Sequence, residues 1–178
     1  GTFDDYALRK GASKVILVEP DNVNVECIRR NFPVEIANGR MLVVPEGAWS
    51  KADTMYFGVG VENSGMGSLV VGEAAMKKIK VPVRPLDEML RDLDVGKVDF
   101  IKVDTEGAER EVLKGAAETL RRDRPLLMLD SYHLPDDAVV LPNVIHGINP
   151  AYRATCAACS PSRDKSDKRV VPYVIFFR

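Results

Sequence analysis

Short apolar runs alternate with segments of helical periodicity along this chain, and that alternation restricts the fold more than any other feature. KVILVE, RMLVV, VDFIKVD and PLLMLD are nearly continuous apolar runs, as strands covered on both faces require. Between them lie DNVNVECIRRNF, PLDEMLRDL with Pro85 at its start, and a segment from about Glu106 to Arg121. In the first, Asp21 or Asn22 is placed as N-cap, with Val23, Cys27, Ile28 and Phe32 on one inner face. In the last, Ala108, Val112, Ala116 and Leu120 form a stripe at i, i+4 spacing. Strands alternating with helices predict an α/β fold, a mostly parallel sheet with helices on both faces.

The remaining segments fit around that frame. TFDDYALRK reads as a short helix ended by Gly11, a suitable C′ residue. TMYFGVG and KIKVPVR have strand composition and flank ENSGMGSLVVGE, which predicts an antiparallel excursion in the middle of the chain. The NSGMGSL part of it suits close approach of backbone to a ligand, or a flexible loop. LPNVIHGIN reads as a weak helix in which His146 is structural. YRATCAAC and VVPYVIFF are strands joined by the polar SPSRDKSDKR, long and charged enough for mobility, and one of the two is expected to run antiparallel.

With 178 residues the chain is expected to form one domain, 1–178. A net charge of −1 offers no basic excess for nucleic acid or an anionic membrane. No apolar run approaches the roughly 20 residues of a spanning helix, and no signal peptide is visible, so a cytoplasmic location is expected. Oligomeric state leaves no mark in the sequence.

Cys27 sits in a helical pattern and is expected in the core, while Cys156 and Cys159 form a C-x-x-C. A redox pair of that kind uses a helix N-terminus to lower a thiol pKa. Here the surroundings read as a strand, where positions three apart face opposite sides. Zinc would need further ligands from Cys27, His133 and His146. Neither a redox pair nor a metal site is expected.

Open α/β sheets bind ligands beyond the C-terminal ends of their strands. The ends here are Glu19-Pro20-Asp21, Val44-Pro45-Glu46-Gly47, Asp104-Thr105-Glu106 and Asp130-Ser131-Tyr132-His133. An acid at the end of an early strand, as Glu19 is, offers two acceptor oxygens to a ribose diol. The bland alternative is a solvated strand end. Such an acid lies about 20 residues past a glycine-rich turn, and counting back from Glu19 reaches Gly1. The first strand and its glycine turn are thus expected to be absent, save for that glycine, leaving two rows of backbone groups exposed. Asp104 or Thr105 also suits a helix N-cap, and Glu106 and Glu109 a first helical turn, with Glu109 assigned mainly to helix electrostatics. Lys102, inside a strand, either faces a helix or pairs with an acid. His133 is matched to proton transfer near neutral pH, or it packs the rim as a hydrogen-bonded histidine.

VILVEPD, NSGMGS, VPVRPLDEML and VDFIKVDTEGAEREVLKGA stand in this order, and over nearly its whole length the chain resembles the FkbM-type methyltransferases. IKVDTEGAE is the most specific of these segments, and DSYHLPDD resembles a Tyr-His segment of part of the family. The resemblance implies a Rossmann-like class I methyltransferase sheet and an S-adenosylmethionine-dependent enzyme, mostly an O-methyltransferase acting on a hydroxyl of a small molecule or sugar. It implies cofactor contacts at Gly1, Glu19, Pro20, Glu46, Ala48 and Asp104. Catalysis would fall to His133 and Asp104, and substrate contact to Glu106 and Tyr132. The departure is at the front, where only Gly1 stands for the family's glycine loop. Two other functions fit the residues: a methyltransferase-like scaffold that no longer binds cofactor, and an NAD-dependent oxidoreductase. For the latter Tyr6 and Lys10 form Y-x-x-x-K, but ahead of Glu19 rather than after it.

Overall fold

A computed structural model describes residues 2–59, 68–69, 77–161 and 170–178. Most of NSGMGSL and most of the polar loop before the last strand lie outside these, as does Gly1. The first part of the chain forms α1 (Thr2–Arg9), β1 (Val15–Val18), α2 (Asn22–Asn31), α3 (Pro33–Ala37) and β2 (Met41–Val44). A second part follows as β3 (Gly47–Ala48), β4 (Asp53–Val59), β5 (Lys77–Arg84) and α4 (Leu86–Asp92). The third comprises β6 (Phe100–Val103), α5 (Glu109–Gly115), α6 (Ala117–Arg122), β7 (Leu126–Asp130), α7 (Asp137–Ile148), β8 (Ala154–Pro161) and β9 (Val170–Phe177). No described helix is long and apolar enough to cross a membrane.

The described strands form three hydrogen-bonded sheets, β1-β2, β3-β5-β4 and β6-β7-β9-β8, mixed rather than mostly parallel. Pairs β1/β2, β3/β5 and β6/β7 are parallel, while β4/β5, β7/β9 and β8/β9 are antiparallel. Connection geometry accounts for much of the mixture. Parallel neighbours need a crossover, which α2 and α3 supply for β1/β2, and α5 and α6 for β6/β7. The middle excursion is antiparallel as its composition predicts, and of the last two strands it is β9 that runs against β7. Among the described strands β1 pairs with β2 alone, and its four residues are half-buried rather than buried.

The largest core packs α5, α6 and α7 on β6, β7 and β9, with Val103, Leu113, Leu127, Leu129, Leu141, Ile145 and Phe177 at its centre. The stripe Ala108, Val112, Ala116 and Leu120 is buried throughout. That helix is nevertheless divided. The Asp87 carboxylate of α4 accepts hydrogen bonds from the Glu118 and Thr119 amides at 2.8 and 2.9 Å and from Thr119 Oγ1 at 2.6 Å. It caps α6 from a neighbouring helix, as an N-cap side chain would from its own.

Three local expectations are corrected. On α2 the buried face carries Val25 and Ile28, with Phe32 just beyond, whereas Val23 is 64% exposed and Cys27 is exposed. Asp21 is its N-cap, accepting from the Val23 amide at 2.8 Å. α7 begins at Asp137, earlier than the weak pattern suggests, and contains Pro142. The sulfurs of Cys156 and Cys159 meet rather than facing opposite sides. The register of β8 on β9 shifts between Cys156 and Ala158 and again between Ala158 and Cys159. A bulge breaks strict alternation, so positions three apart can meet.

Gly115 closes α5 where a side chain has no room: a Cβ there would lie 2.0 Å from the Trp49 carbonyl oxygen and 3.1 Å from Pro85 Cα. Both obstacles are backbone, so neither can swing aside. Gly115→Ala is expected to destabilise the chain by roughly 1–3 kcal/mol or more, read as a lower midpoint in thermal or urea unfolding. An unchanged midpoint would mean that the Trp49 backbone yields freely.

Candidate functional site

β6 and β7 are parallel, with Val103 opposite Leu129, so their C-terminal ends open on one edge. β6 continues into Asp104 and Thr105. Glu106 and Gly107 then adopt φ of 51° and 98°. Glycine takes that left-handed conformation freely, whereas at Glu106 it costs about 1–2 kcal/mol. Ser68 Oγ donates to the Glu106 carbonyl at 2.7 Å and holds the turn. A left-handed residue cannot belong to a right-handed helix, so α5 starts at Glu109 rather than near Glu106. Neither Asp104 nor Thr105 caps it. Instead Glu109 reaches back, its Oε1 accepting from the Thr105 amide at 2.8 Å and Thr105 Oγ1 at 3.1 Å.

β7 delivers the other half of the site. Ser131 is tied to β9 through its amide to the Tyr173 carbonyl and its Oγ to the Pro172 carbonyl, both at 2.9 Å. Tyr132 is 46% exposed, its ring centroid 4.4 Å from that of His133 and 5.5 Å from that of Tyr173. The His133 side chain is 5% exposed, and its Nδ1 lies 2.9 Å from Glu109 Oε1. An ionised carboxylate only accepts, so Nδ1 carries a proton and donates it there. Beyond His133, the Leu134 amide donates to Asp137 Oδ2 at 2.7 Å. Arg110 grips Asp137 Oδ1 through Nε at 3.1 Å and Nη2 at 2.8 Å, and pairs with Asp136 as well. The loop carrying His133 is thereby tied to β9 before the imidazole and to α5 after it.

The opposite ring nitrogen, Nε2, is buried without a hydrogen-bond partner. It faces Asp104 Oδ1 at 3.6 Å and Glu106 Oε2 at 3.7 Å. One ligand atom from each of Asp104, Glu106 and His133 falls within 4.8 Å of the others. Lys102 resolves to an acid pair: its Nζ lies 2.8 Å from Asp104 Oδ2 and 3.2 Å from Asp130 Oδ2.

Burial opposes charge on Asp104, but Lys102 outweighs it and the carboxyl stays below its ordinary pKa. Asp130 is pushed up by burial and by Asp104. Burial raises Glu106 too, with Asp104 and Glu109 adding to it against His133. For Glu109 burial is overcome by His133 and Thr105, and its pKa falls. For His133 burial is overcome by Glu109, Glu106 and Asp104, and its pKa rises. The turn and loop hold a concentrated negative field around one imidazole.

Four predicted residues, Asp104, Glu106, Tyr132 and His133, therefore meet. Glu19, Pro20, Glu46 and Ala48 lie instead around the ends of β1 and β2, with hydrogen bonds of their own. Glu19 Oε1 accepts from the Asp21 amide at 2.8 Å, and burial raises its pKa. Beside it Asp21 Oδ2 is a buried acceptor with no donor. Glu46 is held by Arg84 through Nε at 2.6 Å and Nη2 at 3.3 Å, and Arg84 also takes Asp92 at 2.6 Å. Ala48 belongs to β3 beside Arg84. Tyr6 and Lys10 form a surface pair, the ammonium 5.5 Å from the ring centroid. His146 is structural, its Nε2 3.1 Å from the Tyr152 carbonyl. The residue that sequence reasoning undervalued is Glu109, wholly buried at the centre of the site. Its signal was present: it stands three and four residues before Val112 and Leu113, on the apolar side of its helix.

The family model of the methyltransferase FkbM domain matches residues 2–149. The crystal structure of methyltransferase FkbM from Methylobacillus flagellatus KT superposes with a TM-score of 0.61 at 25% identity. The alignment covers 93% of this chain and 36% of that one, so the chain spans little more than a third of that protein. No curated protein matches. By the extent of the domain match, the chain belongs to the FkbM methyltransferase family.

Proposed function

We propose that the chain is an S-adenosylmethionine-dependent methyltransferase that methylates a hydroxyl on a small molecule or sugar. One observation carries the reading: a buried imidazole, oriented from behind by a carboxylate, turns its free nitrogen toward the acids that end a parallel strand. We place β2-β1 and β6-β7-β9-β8 as two parts of one Rossmann-like sheet. Helix α1 supports this, since Leu8 packs into the core beside β1 while Phe3 stacks on Phe100 of β6 at 5.6 Å.

The residues fit the cofactor by donor type. Its ribose hydroxyls and ammonium are donors, and the strand ends offer acceptors, including the orphaned Asp21 Oδ2 beside Glu19. Glu19 and Pro20 would hold the ribose, backbone around Glu46 and Ala48 the adenine, and Asp104 the methyl-donor end. Bound there, the cofactor would supply an electrophilic methyl group to the acceptor oxygen, which would give up its proton while the C–S electron pair stayed on sulfur. Since a sulfonium leaves readily, the protein's task is alignment and disposal of that proton. His133, held by Glu109, receives the hydroxyl, and Glu106 and the exposed Tyr132 line the way in.

Two substitutions test the division of labour. Glu19→Ala is expected to weaken S-adenosylhomocysteine binding by roughly 1–3 kcal/mol, for lost charge-assisted hydrogen bonds. Unaltered affinity in titration calorimetry would remove Glu19 from the cofactor site. His133→Ala is expected to lower turnover with little change in S-adenosylhomocysteine affinity. Full turnover in that variant would place acceptor activation elsewhere.

A further inference from the structure

We propose that Asp104, Glu106 and His133 bind a divalent metal cation, of the kind that accepts nitrogen and oxygen ligands together, at the acceptor side of the site. The proposal deepens the methyltransferase reading and rests on it for the cation's role, though not for the cation's binding.

Independent observations converge on the same point. Nε2 of a side chain 5% exposed is buried and unpartnered, and it is aimed between two carboxylates. Hydrogen bonding does not explain the arrangement, because 3.6 and 3.7 Å are too long for either carboxylate to accept from Nε2. Nδ1 is already committed to Glu109, at 2.9 Å. A carboxylate behind a histidine fixes the tautomer that turns the Nε2 lone pair outward and raises its basicity, the arrangement typical behind metal-bound imidazole. Charge points the same way: Asp104, Glu106, Glu109 and Asp130 gather around Lys102 and His133, and Lys102 is taken up by Asp104 Oδ2 and Asp130. Asp104 Oδ1 and Glu106 Oε2 are then left to face the imidazole.

The spacing is close to that of a bound ion. Metal–ligand bonds of about 2.1 Å put neighbouring donors about 3.0–3.4 Å apart. The present 3.6 and 3.7 Å need only a small inward turn of Asp104 and Glu106, 41% and 34% exposed, toward an immobile His133. One imidazole and two carboxylates leave coordination positions open, and the mixed set suits Mn2+, Fe2+ or Zn2+ better than Mg2+ or Ca2+. An open position at this place would take the acceptor's oxygen and acidify its hydroxyl, the proton leaving to water. His133 then acts on the hydroxyl through the cation, as its ligand, in place of receiving the hydroxyl directly, and no side-chain base is required.

The test uses the full chain, stripped of metal with a chelator and titrated with Mn2+ while the free ion is followed by electron paramagnetic resonance. One equivalent is expected to bind, with Zn2+ displacing it and Mg2+ failing to at equal concentration. Glu106→Gln and His133→Asn are each expected to abolish stoichiometric binding. Glu109→Gln, which would touch no metal, is expected to weaken it roughly 10- to 100-fold. Asp53→Asn, an exposed acid in β4 away from the cluster, leaves it unchanged. Circular dichroism melts check each fold, and Asp104→Asn replaces any variant that melts early. Absence of stoichiometric Mn2+ binding, or binding unaffected by the ligand substitutions, overturns the proposal. S-adenosylhomocysteine titration of the same protein separates the two readings: cofactor binding without Mn2+ binding removes the metal alone, and Mn2+ binding without cofactor binding removes the methyltransferase assignment alone.

Discussion

A single buried oxygen, Oε1 of Glu109, organises the working end of this chain. It accepts from the Thr105 amide, the Thr105 hydroxyl and His133 Nδ1, and so ties the turn after β6, the start of α5 and the loop after β7. A buried carboxylate is costly unless its hydrogen bonds are complete. Oε1 is satisfied only if all three segments arrive together, which couples the geometry of the site to the folding of the core beneath it, while Oε2 beside it is buried without a hydrogen-bond partner. Arg110, the next residue, repeats the device with opposite charge by drawing Asp136 and Asp137 onto the same helix. Two consecutive residues of α5 thus determine where the His133 loop lies.

Much of this was readable before any coordinates. Parallel strands deliver their C-terminal ends to one edge, so acids and a histidine that end separate apolar runs were bound to meet if those strands were neighbours. Asp104, Glu106, Tyr132 and His133 did. Glu109 was harder. A glutamate in a first helical turn is ordinary, and its burial depends on a loop more than twenty positions away that periodicity cannot place. The proposed cation site has no counterpart in the sequence for a related reason: cysteine and histidine ligands have spacing patterns, whereas carboxylates at strand ends have none. The inner face of α2 was misjudged because apolar residues occupy more than one side of that helix, and only its packing against Leu8 and Met41 selects Ile28 and Phe32. The cysteine pair shows the limit of alternation as a rule, since one bulge resets which residues share a face.

Both ends of the fold keep buried polar atoms without partners. Around β6, β7 and β9 these are Glu109 Oε2 and His133 Nε2, although helix α5 and the last strand interlock the groups beside them. Around β1 and β2 it is the acceptor Asp21 Oδ2, next to a strand that is half-buried and pairs, among the described strands, with β2 alone. Both the proposed acceptor side and the proposed cofactor side therefore have polar capacity still to be filled.

Position 106 is subject to two demands that pull in different directions. Its left-handed backbone favours glycine, asparagine or aspartate, while its place opposite His133 asks for a carboxylate on a long stem. Glycine and asparagine would relax the turn and forfeit the charge, and aspartate would keep both but fall a methylene short. Glutamate alone satisfies the chemistry, at the expense of the backbone. A variant chosen purely for thermal stability would drift away from it, so heat-based selection at this residue would work against whatever the site does.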